Sequence, residues 1–96
     1  MKAAMIDLES AKPKEVAVVI PARNEAPSIA RLINELSSLG HAVIVVDDYS
    51  SDETAQIAWA AGATVLRIPF HGGAWFAMQT GIRAACQQGY RITVTM

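Results

Sequence analysis

Apolar positions fall into β-branched runs separated by stretches with helical spacing. Residues 16–20, VAVVI, do not alternate with polar residues, which is the pattern of a strand covered on both faces, and Pro21 ends the run. A polar loop, PARNEAPS, follows. Ser28 stands where it can cap a helix whose Ile29, Leu32, Ile33, Leu36 and Leu39 share one face, and Gly40 is placed to stop that helix. The cycle then repeats: AVIVV at 42–46 predicts a second strand, DDYSSDET its loop, and residues 54–61 a short Ala-rich helix ending at Gly62. A third strand, ATVLRI at 63–68, leads through PFHGG into a helix where Ala74, Ala77, Met78, Gly81, Ile82 and Ala85 lie on one face and Gly89 closes the end. RITVTM, 91–96, is a further β-branched run.

Strands alternating with helices pair in parallel through right-handed crossovers, which predicts an α/β, three-layer, Rossmann-like architecture with a mainly parallel sheet of about four strands. Ligands in such sheets bind outside the carboxyl ends of the strands. PARNE, DDYSSDET and PFHGG all follow strand ends, so one shared edge is expected to carry the chemistry. The first of these loops lacks the G-x-G-x-x-G fingerprint, which argues against a nicotinamide-dependent enzyme. A receiver-like phosphoacceptor domain is also disfavoured, because the paired acids follow the second strand and no later strand-end Asp appears.

Composition narrows the class further. Ninety-six residues with 52% hydrophobic content suit one domain with a modest core, burying about 60 to 65% of the unfolded surface. Eight basic residues balance nine acidic ones without a Lys/Arg-rich stretch, which gives no support to nucleic-acid binding. Cys86 is the only cysteine and cannot form an internal disulfide; between Ala85 and Gln87 in a helical pattern it is expected to be buried or half-buried, and a reducing cytoplasm fits. The first residues, MKAAMIDLESAKPKE, carry Asp7, Glu9 and Glu15 and are not expected to be a signal peptide. Residues 1–14 are expected to be a poorly ordered extension, with the folded domain over 15–96. Nowhere do about 18 apolar residues run together, so no membrane span is predicted.

Asp47 and Asp48 are the most unusual feature. Neighbouring carboxylates repel unless each has its own partner, and strand alternation points them to different sides. One is expected to face a loop amide or an Arg and the other to accept hydrogen bonds from a ligand. Ser51, Asp52 and Glu53 are expected to start the next helix. Arg23, Asn24 and Glu25 form either a solvated turn or a loop offering backbone amides, a guanidinium and a carboxylate, suited to phosphate, base and ribose respectively. Gly72 and Gly73 precede a helix, as a turn needing positive φ or as an anion site at a helix start. Trp75 and Phe76 are packing residues or a sugar-stacking platform. His71 has no partner at metal-ligand spacing.

Taken together, VVIPARNE (18–25), VIVVDDYSSDET (43–54) and GAWFAMQTGIRAACQQGY (73–90) resemble the donor-nucleotide half of family 2 glycosyltransferases with the GT-A fold. The blocks look most like those of bacterial members related to polyprenyl-phosphate sugar transferases. The resemblance implies that Pro21, Ala22, Arg23 and Glu25 line the nucleotide pocket, that Asp48 accepts a hydrogen bond from the base while Asp47 assists or holds the loop, and that Gly73 lies near the donor. It also implies a UDP- or GDP-linked sugar as partner, an acceptor such as a polyprenyl phosphate or glycan, and a divalent Mg²⁺ or Mn²⁺ in the full-length family. In that family the strand matching RITVTM runs into an Asp-x-Asp element whose acids hold the metal. This sequence ends at Met96, where the element would begin. The expectation is therefore a truncated GT-A half-domain without a metal ligand or catalytic residue of its own. Loss of the general base alone costs about 10²- to 10⁴-fold, so negligible transfer is expected. The rival reading is a non-catalytic interaction module that forms homo-oligomers through an exposed sheet edge at 91–96.

Overall fold

The structure, a computed structural model, describes residues 16–90 in full and residues 92–95 as backbone. The expected N-terminal extension lies outside the described residues. Within them the order is β1 (Val16–Ala22), α1 (Ile29–Ser38), β2 (Ala42–Asp48), α2 (Thr54–Ala60), β3 (Thr64–Ile68), α3 (Ala74–Gln87) and β4 (Ile92–Thr95). All pairings are parallel, and the sheet runs β3-β2-β1-β4. The four-strand parallel sheet predicted from the β-branched runs is present.

Successive crossovers from β1 to β2 to β3 move one way along the sheet and leave α1 and α2 on the same face. The crossover from β3 to β4 passes back over the sheet, and its helix, α3, covers β1 and β2 on the other face. Two cores result. Val18, Ile20, Val43 and Val45 pack under α1 and α2 with Ile29, Ile33 and Ala58, whereas Ala17, Val19, Ile44 and Val46 pack under α3 with Ala77 and Ala85. Alternate strand residues thus serve opposite cores, which is why the central runs show no polar alternation. Because β1 is flanked by β2 on one side and β4 on the other, the strand order reverses beside it, and its carboxyl end marks the switch point where ligands bind in sheets of this kind.

Helix α3 comes unusually close to the sheet. A Cβ added at Gly81 would stand 2.2 Å from Val19 Cγ1 and 2.9 Å from Val46 Cγ2, so only glycine fits there. The buried seam of α3 is Ala77, Gly81 and Ala85, at four-residue steps. Cys86 lies about 100° further round and is exposed, contrary to the burial expected for it. Leu39 likewise departs from its predicted face: it follows the last helical turn as the C-cap of α1 and is 62% exposed.

Candidate functional site

The three strand-end loops meet at the carboxyl edge of the sheet. A cleft of about 180 Å³ is lined by Pro21, Ala22 and Arg23 from the end of β1, Asp48 from the end of β2, and His71 and Ala74 from the start of α3. A second cleft of about 230 Å³ lies across Pro21, between Glu25, Ser28, Ile20 and Leu32. A larger hollow of about 350 Å³, between the outer side of α3 and Leu66, holds none of the strand-end residues.

Period-two geometry separates the paired acids as expected. Asp48 shares the α3 face with Ile44 and Val46, and both of its oxygens are engaged: the Gly72 N–H donates to Oδ1 at 2.8 Å and the Gly73 N–H donates to Oδ2 at 3.0 Å. His71 Nε2 stands 3.3 Å from the same Oδ2. The helix-start amides thus do bind an anion, and that anion is the protein's own carboxylate. Gly73 makes this geometry with φ 91°, a conformation that costs glycine nothing. The cleft is therefore floored by a carboxylate already committed to two amides, not by a free one.

Asp47 occupies the α1–α2 side and is completely buried. Its Oδ1 accepts the Ser50 hydroxyl, and its Oδ2 takes no hydrogen bond but stands 3.2 Å from Arg67 Nε as an ion pair. Asp47 does not enter the cleft.

Asn24 connects the first two loops, a role its sequence context did not reveal. Its backbone is left-handed, with φ 57°, which is uncommon for a residue other than glycine, though Asn is among those that tolerate it. Its N–H donates to Ser50 Oγ at 2.8 Å, while its Oδ1 accepts the Ser51 N–H at 2.8 Å, the Ser51 hydroxyl at 3.2 Å and the Asp52 N–H at 3.3 Å. Next along, the Glu25 N–H donates to Thr54 Oγ1 at 2.9 Å and the Ala26 N–H to Asp52 Oδ2 at 3.2 Å. Asp52 Oδ1 also accepts the Thr54 N–H at 3.0 Å and the Thr54 hydroxyl. The hydrogen bond from the Thr54 hydroxyl, helped by the Thr54 and Ala26 amides, holds the Asp52 carboxyl below its ordinary pKa against a smaller opposing effect of desolvation.

Helix-start roles are accordingly redistributed. Of Ser51, Asp52 and Glu53, Asp52 serves the first residue of α2, whereas Ser51 donates to Asn24. Ser28 is the N-cap of α1 by position, but its hydroxyl donates to Glu25 Oε1 at 3.3 Å, and the Glu25 carbonyl accepts the Ser28 and Ile29 amides. Glu25 thus organises the start of α1. Trp75 is 68% exposed and does not pack as a core residue; Phe76 pairs with Phe70, their ring centroids 5.5 Å apart.

Of the residues singled out from sequence, Pro21, Ala22, Arg23 and Asp48 share one cleft, Gly73 borders it through its amide, Glu25 lies across Pro21, and Asp47 is sealed beneath. His71 and Ala74 join the cleft without having been assigned to it. Among the described residues, no group of three or more His, Cys, Asp or Glu side chains is placed to hold a metal ion, and no helix is long and apolar enough to cross a membrane.

A parallel sheet covered on both faces, with polar loops gathered at the carboxyl edge beside its switch point, defines a Rossmann-like α/β domain of the GT-A kind. The chain belongs to glycosyl transferase family 2, whose family model matches residues 17–94. It is 36% identical over 91 residues to 4,4'-diaponeurosporenoate glycosyltransferase of Staphylococcus haemolyticus, covering 91% of this chain and 23% of that protein. Among solved structures, it is similar to glucosyl-3-phosphoglycerate synthase from Mycobacterium tuberculosis, with TM-score 0.63 and 31% identity over 72% of this chain and 29% of that one. A mannosyltransferase from Pyrobaculum calidifontis, in complex with GDP-Man and Mn²⁺, gives TM-score 0.64 and 26% identity over 78% of this chain and 25% of that one. The mycobacterial enzyme has also been crystallised with Mn²⁺ and UDP-glucose. The chain spans about a quarter of the length of each of these three proteins.

Proposed function

We propose that this chain is the donor-recognising part of a glycosyltransferase that moves a sugar from a UDP- or GDP-linked donor to an acceptor such as a polyprenyl phosphate or a glycan. The observation that carries the reading is the convergence of Pro21, Ala22, Arg23, Asp48 and His71 on one cleft at the carboxyl edge. Relatives that share this half of the fold hold UDP-glucose or GDP-mannose together with Mn²⁺. In this reading Arg23, exposed at the cleft wall, supplies the charge-assisted contact to the nucleotide, and Pro21 and Ala22 give the base a flat apolar edge. Glu25 and Gly73 bound the same region from either side. A divalent metal would offset charge on the departing diphosphate. No cluster among the described residues is placed to hold it. Activated nucleotide sugars and an exposed, unpaired Cys86 together fit a cytoplasmic setting.

Calorimetric titration with UDP and with GDP tests this. The chain should bind one of them, and Arg23→Ala should weaken binding by roughly tenfold, as loss of a charged hydrogen bond of about 1.5 kcal/mol does. Equal affinity in both proteins would remove Arg23 from the site, and no binding of either nucleotide would remove the donor reading.

A further inference from the structure

Asp47 and Ser50 form a short polar chain that reaches Asn24, the residue after Arg23 of the cleft. The Ser50 hydroxyl has one proton, and it gives that proton to Asp47 Oδ1. Its lone pairs are thereby turned toward the Asn24 N–H, which donates to Ser50 Oγ at 2.8 Å. Asn24, in its left-handed conformation, is the residue that turns the chain out of β1 immediately after Arg23. Arg67, whose Nε stands 3.2 Å from Asp47 Oδ2, keeps the far side of the carboxylate facing a donor. Ser50 is only 9% exposed and Asp47 fully buried, so solvent does not readily substitute for either bond.

We infer that Asp47 is a positioning residue: acting through Ser50, it holds Asn24 in the left-handed turn that sets Arg23 into the cleft. The inference rests on the donor reading of that cleft, and it gives the buried acid a role other than ligand contact. Its physical basis is donor and acceptor order. In Asp47→Asn the amide oxygen turns toward the Arg67 N–H, which leaves the amide NH₂ facing Ser50. The Ser50 hydroxyl then loses its acceptor, and its oxygen receives a competing donor.

Amide hydrogen exchange and nucleotide titration, measured on the same proteins, test the relay. Asp47→Asn and Ser50→Ala should each speed exchange at the Asn24 amide by about tenfold, with exchange at Val19 and Val45 unchanged. Each should weaken UDP or GDP binding by about fivefold, and the double variant should be no worse than the poorer single one. Unchanged Asn24 exchange in either single variant overturns the relay, as do effects on affinity that simply multiply in the double variant. Ser50→Ala, which removes only one hydroxyl, decides the matter should Asp47→Asn fold poorly. If the unaltered chain binds neither nucleotide, the donor reading fails, yet the exchange at Asn24 still decides the relay.

Discussion

Single side chains in this edge work mainly by fixing other backbone groups. Asp48 engages two amides of the α3 start, Asn24 gathers three donors on one oxygen, and Asp52 fastens the β1–α1 loop to the start of α2. Asp52 has a consequence for pH. Its carboxyl is held below the ordinary value, chiefly by the Thr54 hydroxyl, so on acidification the unfolded chain takes up the proton first. The stabilisation is therefore complete above the usual carboxylate range and is lost as pH falls through the lowered value. Thermal unfolding followed from roughly pH 6 to pH 2 should show Asp52→Asn less stable than the unaltered protein at the upper end, the gap closing toward the lower end. A gap that is constant with pH would mean that the carboxylate charge is irrelevant to the lacing. Asp52 was legible in sequence as a helix-start residue, because that signal is local. Its bond to Ala26 was not, since nothing local encodes a partner 26 positions away.

At the scale of elements, periodicity carried most of the information. Runs such as VAVVI and AVIVV specify strands buried on both sides because each alternate residue has its own helix to meet. The same period of two placed Asp47 and Asp48 on opposite faces before any partner was known. What it could not supply was the identity of those partners. Asp48 meets amides 24 and 25 residues away, and Asn24 reaches positions 26 to 28 residues on, so both depend on how the loops stack once the strands have paired. The left-handed Asn24 was hidden for a related reason, since its conformation is imposed by that stacking. Gly81 is the position where element packing is most exposed to test. Gly81→Val would drive branched carbons into Val19 and Val46, and overpacking by that much should cost about 3 kcal/mol, lowering the unfolding midpoint by roughly 10 °C or more. A midpoint within a degree or two of the unaltered protein would mean that α3 can lift from the sheet at little cost.

As a whole, the molecule presents one polar edge and two apolar cores, and all three sequence blocks that resembled the glycosyltransferase pattern converge on that edge. Membership of glycosyl transferase family 2 favours the donor-binding reading over a non-catalytic module that pairs through β4, although β4 does lie at a sheet edge. The distribution of nucleotide-induced changes over the backbone tests the central claim most directly. In a titration of isotopically labelled protein with UDP or GDP, followed by amide NMR, shifts should concentrate at Ala22, Arg23, Asn24, Asp48, Gly72, Gly73 and Ala74, with residues lining the outer hollow of α3, such as Arg83 and Gln87, unmoved. Shifts centred on that outer hollow, or no shifts at saturating nucleotide, would contradict it.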